Sequence, residues 1–490
     1  MRAGCHFIRL PSENNRWLEF SNHRNQERVP FVVYADLECV LPKTEPDKID
    51  VPTSYAYQRH EAFSIGYYVH VDLLPMTKEK YISFTKHVDS TKDKNKKNFQ
   101  RNCVKLRFID SYKFLNASLD KLASYLDKDK LKIVRSEFST LSDEKLVLLT
   151  RKGVFPYEYI DCVEKLQDTR LPSRKLFFSS LTGDTVSKSD YAHAVNVWQR
   201  FSIRTLGEYS DLYLKTDVLL LADIFENFRN SCVTSYGLDP AHYYTLPDFT
   251  WDAMLKHTRV RFELLTDIDI VMFIERGIRG GLSQCSDRYA QANNKMNNLY
   301  GWAMCQPLPY AEFRWVEDAA NFDVSAIAPD SSTGYILEYP QRLHDRHTDL
   351  PFCPMRDKPP GKREDKLLAT LYDKQPTLYD KQRYVIHYRN LRQCTRHGLR
   401  VTKIPRVLQF AQFAWLRDYI ELNTQFRTRA KNDFEKNLYE LMNNAVIGKT
   451  MENVRNYVDV KLLTKWDEQY GTEAMIAKPI STAAAFLRKI

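Results

Sequence analysis

The sequence predicts an α/β protein on three observations. Residues 31–40, Phe-Val-Val-Tyr-Ala-Asp-Leu-Glu-Cys-Val, are β-branched and aromatic up to an acidic interruption, which is the composition of a buried strand. From Asp211 to Tyr236, Leu214, Val218, Leu221, Phe225 and Phe228 recur at intervals of three and four, with no Gly or Pro before Gly237; this predicts a long amphipathic helix. Residues 430–446 repeat that period with Phe434, Leu438, Leu441 and Met442 on one face, a further helix.

Between these anchors, Val104–Asp110 alternates as a second strand and the chain turns helical from Ser118. The run Lys-Asp-Lys-Asn-Lys-Lys at 92–97 reads as a solvated loop, and the four prolines between Pro351 and Lys362 mark a loop or linker. Thr-Leu-Tyr-Asp-Lys-Gln occurs at 370–375 and again at 377–382, a local duplication rather than a repeat architecture.

A chain of 490 residues exceeds one ordinary core and divides into several domains. With 43% hydrophobic and 27% charged residues it has a soluble, globular balance, and no apolar run reaches the roughly 18 residues of a membrane helix. The net charge of +10 suits a polyanionic partner without requiring one. Its nine cysteines are scattered, never in the close pairs of a zinc site, which points to a reduced intracellular compartment without identifying it; of the candidates the nucleus is expected ahead of the mitochondrion.

Asp36 and Glu38 stand two apart on the predicted strand, so their carboxylates share a face and can share a hard divalent cation. Tyr213 and Asp217, four apart on the predicted helix, also share a face. An Asp-x-Glu strand with a Tyr-x-x-x-Asp helix supplies the parts of a two-metal phosphodiesterase, in which Asp36, Glu38 and Asp217 hold Mg²⁺ and Tyr213 orients the attacking water. Each half alone is commonplace; solvated acids at a strand end are the plain alternative.

The segment Tyr213-Leu-Lys-Thr-Asp217-Val-Leu-Leu-Leu-Ala-Asp223 resembles the third exonuclease motif of protein-primed family B DNA polymerases, those of linear plasmids, certain bacteriophages and self-synthesising DNA transposons. Asp36-Leu-Glu38 resembles their first motif, and Ser118-Leu119-x-x-Leu122 their contact pattern for single strands and a terminal protein primer. Ile278-Arg279-Gly280-Gly281 is similar to the linker between exonuclease and polymerase domains, with Ile in place of Tyr. Asn297-Asn-Leu-Tyr300-Gly-Trp-Ala-Met304 is similar to polymerase motif A, and Lys431–Lys436 through Leu441–Thr450 to the helix carrying motif B. The resemblance spans about residues 30–465.

It implies a ribonuclease H-like 3′–5′ exonuclease domain at 1–235, then an incomplete palm and fingers region at 236–490. It also implies DNA, as single strand and primer-template, and deoxynucleotides as partners. Tyr300, Asn444 and Gly448 would meet the nucleotide, and Ser118, Leu119, Arg279, Gly280 and Gly281 the DNA. Tyr300 reads equally as a core tyrosine beside Leu299 and Trp302, and Arg279–Gly281 equally as a plain tight turn. His387 and His397, in basic surroundings, read as surface residues.

Several family residues are replaced. Lys295 and Met296 stand where the family places a metal-binding Asp before motif A, and Glu440 stands where motif B carries a triphosphate-binding Lys. Ala445 and Ile447 replace the usual Ser and aromatic, leaving Lys436, Arg427, Arg429 and Lys431 to attract phosphate or simply to solvate a helix face. No second exonuclease motif lies between Glu38 and Tyr213; Asp110 is the nearest substitute, and motif C is expected to be missing. These losses predict a polymerase-inactive copy, with a non-catalytic DNA-binding module or a transposon relic as the rival readings.

Overall fold

In the computed structural model the described residues are 10–42, 59–71, 85–89, 103–278, 299–328, 330–342, 355–357, 366–368, 381–396, 400–401 and 403–452. They mix helices and strands, as an α/β chain should, and group into two units. A helical unit joins Phe20–Arg259 to Asp418–Lys449, and a sheet unit joins Val260–Arg417 to the flanking terminal segments.

In the helical unit, β1 (Phe31–Val40) pairs antiparallel with β2 (Glu61–Val71), placing Asp36 opposite Gly66. β1 has the bounds predicted for it. A second hairpin joins β3 (Thr85–Asp89) to β4 (Cys103–Arg107), so the strand expected at 104–110 ends earlier, where Asp110 accepts from Tyr112 N and caps a turn. Two short helices follow, α1 (Leu119–Tyr125) and α2 (Lys132–Glu137).

The organising element is α3 (Leu206–Tyr236), a helix of 31 residues. Thr205 caps its start by accepting from Glu208 N, and Gly237, at φ +61°, closes its end in the left-handed conformation. Prediction and structure agree on its existence but not on its setting. Leu214, Val218, Phe225 and Phe228 are buried as expected, yet so are Asp217, Asp223, Glu226 and Arg229, because the helix runs through the interior rather than over a surface.

Each buried charge on α3 therefore needs a partner. Asp223 accepts from Ile133 N and Val134 N, satisfying the orphan donors at the start of α2. Arg229 is fully buried and forks onto Asp239, with Nε–Oδ1 at 3.0 Å and a second N–O contact at 2.6 Å. It also holds Glu226 at 2.6 Å, whose carboxylate accepts from Tyr34 Oη at 2.5 Å and from Arg28 at 3.0 Å. Tyr34 lies on β1, so the network ties strand to helix. α4 (Leu246–Thr258) completes this part.

In the sheet unit, α5 (Leu299–Met304) precedes β5 (Leu308–Trp315). β6 (Thr333–Arg342), β7 (Lys381–His387) and β8 (Arg406–Phe413) join β5 in an antiparallel sheet ordered β7-β6-β8-β5. α6 (Tyr388–Arg396) buries Tyr388, Leu391 and Cys394 against Leu337, Ile386 and Val407 of that sheet.

Two last helices, α7 (Arg417–Arg429) and α8 (Asp433–Thr450), belong almost wholly to the helical unit. α8 buries Phe434, Leu438 and Met442 as its sequence period requires. Tyr236 Oη donates to Asn423 Oδ1 at 2.7 Å, and Asn423 Nδ2 to Asn443 Oδ1 at 2.7 Å, joining α3, α7 and α8 through buried polar atoms. Among the described residues no helix is long and apolar enough to cross a membrane.

Asp239→Ala would remove one of the two carboxylates that answer the buried Arg229 guanidinium and leave half its fork unpaired, at a cost of roughly 3 kcal/mol. Urea unfolding should show that loss, whereas Arg24→Ala on the surface should cost less than about 0.5 kcal/mol; equal effects would remove the network from its structural role.

Candidate active site

Glu38 lies buried on β1 and Asp217 buried on α3, while Asp36, on the same strand face as Glu38, is exposed. Two glycines let backbone pack close against α3: Gly66 on β2 and Gly153 in the loop that follows Lys152. A Cβ at Gly66 would meet Leu214 Cγ at 2.9 Å and Val218 Cγ2 at 3.1 Å. A Cβ at Gly153 would come within 3.2 Å of the Tyr213 ring.

The three carboxylates act on one another electrostatically. Burial, reinforced by Asp36 and Asp217, pushes the Glu38 carboxyl from 4.5 up to about 7, with Lys152 opposing. Burial raises the Asp217 carboxyl too, against the nearby Lys152 ammonium. Lys152 Nζ stands 2.5 Å from Asp217 Oδ2, and Asp217 Oδ1 is buried with no hydrogen-bond partner.

Tyr213 is held in place from several sides. Its hydroxyl meets that of Tyr157 at 2.9 Å, its ring stacks on Phe155 at 5.1 Å, and Lys152 Nζ lies 5.4 Å from its centroid. Burial drives its phenol well above the ordinary range, so it stays neutral and can donate or accept a hydrogen bond.

The sequence therefore located Asp36, Glu38, Tyr213 and Asp217, and the fold brings them together. It did not single out Lys152, Gly153 or Tyr157, whose only local signal is a lysine and a glycine ahead of alternating aromatics. The donor set of hard oxygens, an orphaned Asp217 oxygen and mutual carboxylate repulsion suits a divalent cation. Against this, the described residues contain no group of three acidic, His or Cys side chains arranged for a metal, and Lys152 already neutralises Asp217. Asp110 contributes its carboxylate to a turn.

The other expected sites fall elsewhere. Ser118 caps α1 through Lys121 N, and Leu119 is half-buried in its first turn. Tyr300 is 73% exposed in the sheet unit, which excludes the core-tyrosine reading. Asn444 and Gly448 lie on the exposed face of α8 in the helical unit. On that face Glu440 pairs with Arg427 at 2.7 Å, and Lys436 pairs with Asp433 at 3.2 Å, so these two candidate phosphate ligands answer neighbouring acids. His387, expected on the surface, is half-buried against Phe410, and burial lowers its pKa to about 4. Arg279, Gly280, Gly281, Lys295, Met296 and His397 lie outside the described residues.

Residues 61–489 match the family described as DNA polymerase type B, organellar and viral. No curated protein matches the chain. Among solved structures, phi29 DNA polymerase in an orthorhombic crystal form is 12% identical, with a TM-score of 0.47 over 87% of this chain and 69% of that one. Phi29 DNA polymerase complexed with single-stranded DNA is 13% identical, with a TM-score of 0.44 over 86% and 67%. Its ternary complex with primer-template DNA and incoming nucleotides is 14% identical, with a TM-score of 0.38 over 71% of this chain and 49% of that one.

The raised Glu38 carboxyl makes stability depend on pH. Between 4.5 and about 7 the folded state keeps a proton that the unfolded chain releases, so stability falls as pH rises through that window. In EDTA, Glu38→Gln should therefore gain on the wild type by up to ~3 kcal/mol between pH 5 and pH 8. A difference in unfolding free energy that stays constant with pH would show Glu38 to be ordinarily solvated.

Proposed function

The chain belongs to the DNA polymerase type B family, organellar and viral, and on that footing we propose that residues 1–235, which supply most of its helical unit, form a ribonuclease H-like 3′–5′ exonuclease acting on single-stranded DNA. The observation that carries this reading is the convergence of Asp36 and Glu38 with Asp217, made possible by Gly66 opposite Asp36. The remainder is read as an incomplete palm and fingers region, so that the exonuclease-derived sequence covers 1–235 and the polymerase-derived sequence 236–490.

Asp36, Glu38 and Asp217 would hold Mg²⁺ only after Lys152 leaves Asp217 and the three carboxylates close on one point, since as they stand they form no metal-binding group. Bound there, the cation would neutralise the carboxylates and favour an ionised water near the scissile phosphodiester. Tyr213, fixed by Tyr157, orients a water or phosphate oxygen through its neutral hydroxyl. Lys152 offers a cation to a phosphate oxygen once Asp217 is otherwise engaged.

Nucleotidyl transfer is not proposed for this chain. Lys295 and Met296 replace the motif A carboxylate, and Glu440 puts a negative charge where a triphosphate needs a positive one. The Lys152–Asp217 pair favours a second reading, a DNA-binding module whose lysine permanently replaces the cation.

The purified chain should degrade a 3′-labelled single strand in Mg²⁺ and not in EDTA, and Asp36→Ala/Asp217→Ala should lower the rate by at least ~100-fold. A folded wild type that binds the strand but never shortens it would rule out the nuclease and leave the binding module.

A further inference from the structure

The sheet unit contains a cavity of about 440 Å³ that none of the matched motifs uses. Its walls come from three separate segments: α6, the turn around Phe322–Ser325, and the lead into β8 at Lys403. Burial of Tyr388, Leu391 and Cys394 fixes which way α6 faces, and this leaves Arg392 and Arg396, four residues apart, along the cavity. Arg392 is braced by donating to Ile327 O at 2.8 Å, while Lys403 faces the arginines from outside the helix.

The lining contains one acid, Asp323, and it is already engaged. Its Oδ1 accepts from Ser325 N at 2.8 Å and Ser325 Oγ at 2.6 Å. Those bonds hold the Asp323 carboxyl below the ordinary carboxylate range, so it stays anionic as a turn cap and offsets one of the three cations in the lining, leaving the wall net positive. Among the described residues no carboxylate pairs with Arg392, Arg396 or Lys403, in contrast to Arg427 on α7 and Lys436 on α8. Three cations from two segments, a Thr395 hydroxyl and the flank of Phe322 surround a space large enough for a nucleotide unit.

We propose that this cavity is a phosphate-binding pocket that takes a nucleotide unit, its phosphate between Arg392, Arg396 and Lys403 and its base toward Phe322. Guanidinium groups suit phosphate oxygens in geometry as well as charge, and an aromatic wall accepts any base. The phosphate can be carried by a DNA strand or by a free mononucleotide. The inference does not depend on the nuclease reading, since the pocket belongs to the other unit and requires no cleavage.

The test uses the full chain in EDTA, with cleavage off, and measures anisotropy of a fluorescein-labelled oligothymidylate over a salt series. Arg396→Glu/Lys403→Glu should weaken binding about tenfold and shrink the slope of log affinity against log salt by about one. Arg396→Lys/Lys403→Arg, which keeps the charge and the number of guanidinium groups, should retain most of the wild-type binding. Lys175→Glu/Lys188→Glu, an equal charge change at exposed lysines of the other unit, should have a clearly smaller effect. Thymidine monophosphate separates the sources. Thermal stabilisation of the wild type but not of Arg396→Glu/Lys403→Glu, with strand binding unchanged, assigns the pocket to free nucleotides; loss of strand binding without such stabilisation assigns it to a strand. If the two glutamate doubles behave alike in both measurements, only bulk charge is at work and the pocket is overturned.

Discussion

The Arg229 guanidinium, fully buried and forked onto Asp239, is the interaction on which the helical unit depends. A helix of 31 residues that runs through an interior cannot leave a charge unanswered. Arg229 answers Glu226 and Asp239 together, and Glu226 in turn reaches Tyr34 on β1. Burial and the neighbouring Glu226 raise the Tyr34 phenol far above its ordinary range, so it remains a donor and the link persists at any physiological pH. Strand and helix are thereby held in one register, and the carboxylates further along both elements inherit their positions from it.

That register produces an electrostatic conflict at the other end of the pair. Glu38 and Asp217 are buried near Asp36, and burial acts against ionising either. Lys152 partly relieves the conflict, and Asp217 Oδ1 is left without a partner. A site that stores unfavourable charge in this way is poised for a cation, whether metal or lysine.

The motif B-like helix shows the opposite economy of charge. Its exposed face carries Lys436, Glu440 and Asn444, and its cations pair with local acids instead of remaining available to a ligand. Net positive charge is found instead beside α6 in the sheet unit, where Asp323, turned toward Ser325, offsets only one of the three cations in the lining.

The sequence by itself determined what depends on neighbours in the chain. Strand 31–40 and the helices around 211–236 and 430–446 were legible because side-chain period follows backbone geometry, and Asp36, Glu38, Tyr213 and Asp217 were legible because fixed spacings on those elements put them on shared faces. Tertiary structure alone decided that the long helix is buried, since a helical period reports one apolar face and cannot say whether the opposite face meets water or protein. It alone made Gly66 and Gly153 points of contact, brought Lys152 to Asp217 across 65 positions, exposed Tyr300 and gathered Arg392, Arg396 and Lys403 around one cavity. Such meetings are set by which surfaces pack, a property of the whole chain that no local pattern encodes.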